Sequence, residues 1–316
     1  MFDTIHRDPK LQLVVMIPCL NEEATLPSVL SSIPAHIPGI HSITLLVIDD
    51  GSTDKTTEIA HSYGAGVIRH TSTKGLAYSF AEGLEHAVKI GADIIVNTDG
   101  DNQYPQAQIA ALVKPIIEGK ADMVIGDRQT DKIAHFSPFK KKLQKLGSFF
   151  IRELTNTEVK DAVSGFRAFS RAAAQQIHVF TDYTYTLETI IAAGKKKLKI
   201  VSVPVTTNCK TRESRLMKSM FSYLKISITT IIRVFAIYEP LKTFGSFGTA
   251  LVIPGAFFIL RFIYYFIDGN GNGHTQSLIV GTLLVMVGFQ VVLFGIIADL
   301  IGFNRKLLEQ IKIKVD

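Results

Sequence analysis

The sequence has no tryptophan and only two cysteines, Cys19 and Cys209, among 316 residues. There is no Cys-x-x-Cys pair, which excludes a thiolate metal cluster and a disulfide framework and suits a reducing compartment. Met1 to Lys10 is polar and charged and carries no signal-peptide pattern. No nucleic-acid-binding motif is present, and no helix bunches its arginines as a groove reader would. The formal charge of +6 and pI near 9.1 therefore point to lipid headgroups or phosphate rather than to nucleic acid. His86, His135 and His178 stand alone, outside any motif, and read as surface or packing residues.

Apolar residues are plentiful. They make up 47% of the chain, with a mean hydropathy of +0.25, and the excess lies after about residue 220. Residues 211–243 read as an amphipathic juxtamembrane helix, with Leu216, Met220, Leu224, Ile228, Ile231 and Phe235 on one line and Lys218, Lys225 and Arg233 off it. Residues 244–266 and 277–301 are each long enough to span a hydrocarbon layer, making 244–316 a transmembrane hairpin. Arg261 and Asp299 lie near span ends and snorkel. Ile267–Gln276 between the spans carries no Lys or Arg, whereas Arg233, Lys242, Arg305, Lys306, Lys312 and Lys314 flank them. The positive-inside rule then predicts a multi-pass protein of the cell membrane, with catalytic domain and both termini cytosolic. Gly281, Gly288 and Gly295 recur every seven positions and suit packing against another protomer, as a homo-oligomer, or against the first span. A two-helix hairpin offers little surface for a pore.

Residues 1–210 alternate short apolar strands with helical patterns. That predicts an α/β fold, a mainly parallel sheet with helices on both faces. Strands are expected at Leu11–Ile17, Ile43–Ile48, Val67–Ile68, from Ile94, at Asp122–Ile125 and near Lys199–Val205. Polar clusters follow three of them: Pro18–Glu23, Asp49–Asp54 and Asp99–Gln103. Asn21 suits a helix cap, and so does one of Ser52, Thr53 and Asp54. Ligands of open α/β sheets sit beyond the carboxyl ends of the strands. Asp99, Asp101 and Gln103 are oxygen donors of the kind a hard divalent cation takes along with a bound diphosphate. The adjacent carboxylates Asp49 and Asp50 repel one another and call for a ribose, a base edge or a cation.

Pro18-x-x-Asn21-Glu22, Asp49-Asp50-Gly51-Ser52-x-Asp54 and Asp99-x-Asp101 resemble the inverting glycosyltransferases of GT-A (Rossmann-like) fold. The Asp99-Gly-Asp101-Asn-Gln103 form, with Gly126-Asp-Arg128 and Val163-Ser-Gly-Phe-Arg167, is similar to their polyprenyl-phosphate branch, which includes dolichyl-phosphate mannose synthase and bactoprenol glucosyltransferases. The resemblance covers roughly Leu11 to Phe169. It implies that Pro18, Leu20 and Glu22 line the nucleotide-sugar pocket, that Asp49 or Asp50 meets base or ribose, and that Lys74 contacts the donor. It also implies that Asp99, Asp101 and Gln103 hold Mg²⁺ or Mn²⁺. An aromatic often stands in that family where this chain has Leu20, which offers apolar contact alone.

Arg128 falls on the ligand rim, and a guanidinium fork fits an acceptor phosphate. Lys141 and Lys145 share a helical face at i, i+4, with an apolar face beside it, as suits a helix at a membrane or an ordinary amphipathic helix. Ser164 and Arg167 read as structural or phosphate-facing. Arg212, between Lys210 and Arg215, lies in a basic loop that suits closure over a diphosphate or plain solvation. The expectation is a metal-dependent, inverting transfer of one hexose from a UDP- or GDP-sugar to undecaprenyl or dolichyl phosphate at the membrane, with Asp99, Asp101 and Arg128 catalytic. The attacking phosphate oxygen is anionic near neutral pH and needs no strong base. A processive polysaccharide synthase usually carries Gln-x-x-Arg-Trp, and this chain has no Trp. A nucleotidyltransferase would have a Gly-rich loop where Pro18–Glu23 stands. An inactive membrane-anchored nucleotide-binding scaffold would not need the Asp99/Asp101 pair.

Overall fold

Leu13, Val15, Met16 and Ile17 are fully buried, so β1 (Gln12–Cys19) is covered on both faces. Strands of that kind read as continuous apolar runs, because helices lie above and below them. The computed structural model describes residues 10–129, 159–179, 185–208, 239–269 and 271–315, with single helical positions at 229, 232 and 236. The chain divides into two units, Met1–Lys218 and Ser219–Asp316.

In the first unit β1 is followed by α1 (Leu26–Ser32), β2 (Ser42–Asp49), α2 (Thr56–Ser62), β3 (Gly66–Arg69), α3 (Leu76–Lys89) and β4 (Ile94–Asn97). A 3₁₀ turn at Gln106–Gln108 leads into α4 (Ile109–Ile117). Then come β5 (Met123–Asp127), β6 (Arg167–Ser170), α5 (Arg171–Gln176), α6 (Tyr185–Lys195) and β7 (Ile200–Pro204). The seven strands are ordered β3-β2-β1-β4-β6-β5-β7. All neighbours pair parallel except β6, which runs antiparallel between β4 and β5. The expected strands are present, and the sheet is mixed because of β6. That strand hides in the sequence behind the charged start of Arg167-Ala-Phe-Ser170, which reads as a loop motif.

Leu13, Val15 and Ile17 pack under α1 and α4 through Leu26, Val29, Leu30, Ile109, Leu112 and Val113. On the other face Gly83 of α3 lies so close to the sheet that a Cβ there would stand 2.7 Å from Ile48. Phe80 of the same helix stacks on Tyr185 of α6 at 3.9 Å between ring centres. Each fully buried side chain of this size contributes about 1.5–3 kcal/mol. Two cap expectations fail in part. Asn21 does not cap α1, whose N-cap is Thr25, and it adopts a left-handed φ of 53°. Asp54 does accept from the Thr56 amide (3.0 Å), although the N-cap of α2 is Lys55.

In the second unit α7 (Pro240–Ile267) and α8 (Thr275–Val315) are joined through a 3₁₀ turn at Gly271–His274. Pro240–Ile267 and Thr275–Asn304 are long and apolar enough to cross a membrane, with mean hydropathies of 2.0 and 2.4. A Cβ on Gly281 would lie 2.8 Å from the Gly255 carbonyl oxygen, and one on Gly288 would lie 2.8 Å from that of Gly248. The seven-residue glycine repeat of α8 thus meets a matching pair on α7 of the same chain. This is one of the two uses expected of that repeat. The expected juxtamembrane helix at 211–243 lies outside the described residues except for 229, 232, 236 and the start of α7.

Candidate active site

Because β1, β2, β4, β5 and β7 point the same way, their carboxyl ends share one rim, and β6 begins there. β1 lies between β2 and β4, so the connections leave it on both sides, and this is where open sheets form a crevice.

The first two loops are stitched together. The Asn21 amide donates to Ser52 Oγ (2.9 Å), the Glu22 amide to Thr56 Oγ1 (2.9 Å) and the Glu23 amide to Asp54 Oδ2 (3.0 Å). In return the Thr53 amide donates to Asn21 Oδ1 (2.8 Å) and the Lys55 amide to Glu23 Oε2 (3.1 Å). The left-handed backbone at Asn21 turns its side chain toward the second loop. The third loop joins through Thr25, whose hydroxyl lies 2.8 Å from both Glu22 Oε2 and the Gly100 carbonyl. Gly100 leaves no room for a side chain, since a Cβ would sit 2.8 Å from Cys19 Sγ and 3.3 Å from Glu22 Cγ. Pro18 and Cys19 thus lie beneath the Asp99–Asp101 turn and Glu22 beside it, while Leu20 is partly exposed at the tip of its loop. Burial, and then the nearby carboxylates of Glu22, Asp49 and Asp99, push the Cys19 thiol well up, which makes it an inert filler.

The two adjacent aspartates have different roles. Asp49 is fully buried; it accepts from the Ser52 amide (2.8 Å) and the Thr57 hydroxyl and pairs with Arg69. It braces its own loop from the interior. Asp50 accepts from the Lys74 amide (2.8 Å) and the Gly75 amide (2.9 Å), fixing the turn that carries Lys74. Gly75 takes a φ of 100°, which favours glycine. Lys74 Nζ is exposed and rests over Tyr78, 4.3 Å from the ring centre. Asp50 also meets His70, a residue that sequence reasoning passed over. Its ring, 4% exposed, bridges Asp50 (Nδ1 to Oδ1, 2.7 Å) and Glu82 (Nε2 to Oε2, 2.5 Å). The available signal was a polar residue at the end of an apolar strand, one place after Arg69.

Asp99 is partly buried. Burial, then the Asp101 carboxylate, push its carboxyl up to about 7; Arg128 opposes this and Glu22 adds to it. Asp101 Oδ1 accepts from the Gln103 amide (3.0 Å), which closes the turn. Gly165 lies directly under Asp99, and a Cβ there would stand 2.9 Å from both Asp99 Oδ2 and Tyr185 Oη. Among the described residues no three His, Cys, Asp or Glu side chains form a closed cation cage. What remains is a pair of carboxylates crowded against their own repulsion. That fits a Mg²⁺-type ion, which binds through one or two carboxylates and keeps positions for phosphate oxygens.

Arg128 follows β5 and is gripped by Asp161, Nε to Oδ2 at 2.7 Å and Nη2 to Oδ1 at 3.0 Å. Burial would raise the Asp161 pKa, but Arg128 and the backbone amides hold it below the ordinary value. Arg167 and Ser164, expected near the acceptor phosphate, are both fully buried. The Arg167 guanidinium donates to the carbonyls of Ser164 (2.7 Å), Thr186 (2.7 Å) and Ala162 (2.9 Å) and to the Thr189 hydroxyl (2.5 Å). Burial pulls its pKa down to about 10. Four of its five N–H groups are thus committed, and Arg167, wholly buried, staples the 162–164 turn to α6, the structural one of its two expected roles. Lys141, Lys145 and Arg212 lie outside the described residues. Beyond β7, Asn208 reaches the Asn102 carbonyl (2.9 Å), so this end of the chain docks on the Asp99–Gln103 loop.

Residues 14–177 match the model of Glycosyl transferase family 2. The UDP-N-acetylglucosamine–dolichyl-phosphate N-acetylglucosaminyltransferase of Methanococcus voltae is 31% identical over 62% of this chain and 85% of its own length. The dodecaprenyl-phosphate galacturonate synthase of Rhizobium johnstonii is 26% identical over 92% of this chain and 88% of its own. The fold is shared with glucosyl-3-phosphoglycerate synthase from Mycobacterium tuberculosis, solved with Mn²⁺ and UDP, at a TM-score of 0.55 and 22% identity over 72% of this chain and 79% of that one. The fold is GT-A, and this chain belongs to Glycosyl transferase family 2 and is a glycosyltransferase.

Proposed function

We propose that the chain transfers one hexose from a nucleoside diphosphate sugar to polyprenyl phosphate, with inversion, at the cytosolic face of a membrane that α7 and α8 span. The observation that carries this is the Asp99/Asp101 pair, set between the Glu22 loop and Arg128 on one rim. The relatives whose names include dolichyl or dodecaprenyl phosphate support the acceptor class. The two apolar helices support the place where that acceptor is met.

Asp99 and Asp101, with Gln103 beside them, would hold a divalent cation. Such an ion acts as a Lewis acid on the departing diphosphate. Asp50, through the Lys74 and Gly75 amides, sets the turn from which Lys74 faces the donor. Leu20 gives apolar cover to the base. Asp161 fixes two nitrogens of Arg128 and leaves Nη1 to hold the acceptor phosphate in line with the anomeric carbon. That oxygen is already anionic, so positioning and fixed charge carry the rate and no side chain must take a proton.

The test is transfer of label from UDP- and GDP-sugars into an organic-soluble lipid, with undecaprenyl and dolichyl phosphate as acceptors, with and without EDTA. Label is expected to move only when metal is present. Asp101→Ala should lose at least about a hundredfold in rate while keeping its fold. Undiminished transfer by that variant, or by the unaltered chain in EDTA, would reject the cation role.

A further inference from the structure

We infer that His70 is a positioning residue for the nucleotide end of the donor, acting through Asp50; this rests on the donor pocket proposed above. His70 stands at the end of β3, away from the Asp99/Asp101 pair. Both of its ring nitrogens meet carboxylate oxygens, Nδ1 on Asp50 and Nε2 on Glu82 of α3. A carboxylate oriented by one hydrogen bond still turns about its χ2. Asp50 is held from both ends: His70 and the Lys74 amide share Oδ1, and the Gly75 amide takes Oδ2. Glu82, in turn, keeps the imidazole from rotating. Tyr78 packs edge-on against that ring, 5.4 Å between centres, and carries Lys74 Nζ over its own face and near its hydroxyl (3.2 Å). One buried histidine therefore sets three things at once: the Asp50 carboxylate, the left-handed turn at Gly75 and the shelf on which Lys74 lies.

This arrangement predicts an effect on donor affinity with little effect on turnover, because His70 touches neither the Asp99–Asp101 turn nor Arg128. It also predicts that the two ring nitrogens matter unequally, Nδ1 through its bond to Asp50 and Nε2 only by steadying the ring. The side-chain amide of asparagine overlays Nδ1, and that of glutamine overlays Nε2. His70→Asn keeps a donor toward Asp50, whereas His70→Gln keeps one toward Glu82 alone.

The experiment compares these two variants, similar in bulk and both checked for an unaltered thermal midpoint, with the full chain in detergent. The probes are UDP and GDP with MgCl₂, with binding read by calorimetry and donor KM and kcat by label transfer. His70→Gln should weaken nucleotide binding and raise donor KM about tenfold, with kcat and acceptor KM within about twofold; about tenfold corresponds to one strong hydrogen bond. His70→Asn should restore most of that loss. Equal loss in both variants, no loss in either, or a fall confined to kcat would overturn the inference. If the unaltered chain binds nucleotide but labels no lipid, the acceptor reading fails and the His70 comparison still decides by calorimetry. If it binds neither nucleotide, both fail.

Discussion

Asp161 holds Arg128 through two parallel hydrogen bonds, at 2.7 and 3.0 Å, with the aspartate almost wholly shielded from water. The pair connects the exit of β5 to the segment that leads into Gly165 and β6. It is a fork-on-carboxylate contact, which fixes direction as well as charge.

Asp161→Ala should therefore cost about 3–5 kcal/mol of stability in the catalytic unit, because it strands a largely buried guanidinium. It should also raise acceptor KM more than donor KM. Denaturant titration and the two KM values check this. An unchanged acceptor KM would remove Arg128 from the acceptor site.

Asp99 binds its proton more tightly in the folded chain, its pKa being raised from 3.8 to about 7 by burial and then by Asp101. A carboxyl shifted upward adds stability that is complete below its ordinary pKa and lost as pH rises through the folded value. In EDTA the thermal midpoint should fall between pH 4 and pH 7, and Asp99→Asn should flatten that fall. Mn²⁺ should bind more tightly as pH rises across the same interval and should release protons on binding. A midpoint that climbs over this range in EDTA would contradict the placement of Asp99.

Gly165→Ala places a methyl group 2.9 Å from both Asp99 Oδ2 and Tyr185 Oη. Overpacking of this kind costs about 1–3 kcal/mol and here also displaces a carboxylate. Mn²⁺ affinity should drop with this single carbon, measured by the paramagnetic signal of the free ion. Wild-type affinity would mean that Asp99 is not a ligand.

In the helical hairpin, Gly281→Leu should lower the midpoint of the detergent-solubilised chain, since a Cβ there meets Gly255 O at 2.8 Å and Ile259 at 2.8 Å. The same exchange at Gly302, where a Cβ meets nothing within 4 Å, should leave it unchanged. The difference should not depend on protein concentration, because both helices belong to one chain.

Much of this was legible in the residues. Apolar runs of period-free character placed the buried strands, and the clusters after β1, β2 and β4 pointed to one rim because parallel strands must end together. The hairpin was legible from length and hydropathy. Composition and spacing could not divide labour within a cluster. Asp49 and Asp50 are neighbours, yet alternation along a strand sends one inward to Thr57 and the other toward His70 and the Lys74 turn. Arg167 is ambiguous in the sequence for a related reason. An arginine in a polar motif suggests phosphate, and only the sheet register, Asn97 opposite Arg167, shows it entering the interior. His70 was missed because its partners, Asp50 and Glu82, are distant in sequence and come together only when β3 lies beside β2 and α3 returns across the sheet.

The stitches between the first two loops have a consequence for divergence within such enzymes. Asn21, Glu23, Ser52, Asp54 and Thr56 each supply a bond that the opposite loop relies on. Exchanging any one of them removes a tie between the two loops, most costly at the buried Thr56 bond, so the floor of the cleft drifts most easily by paired replacements. New sugar preferences would then arise at side chains that owe nothing to that lattice, Leu20 and Lys74 among them, on a foundation inherited whole.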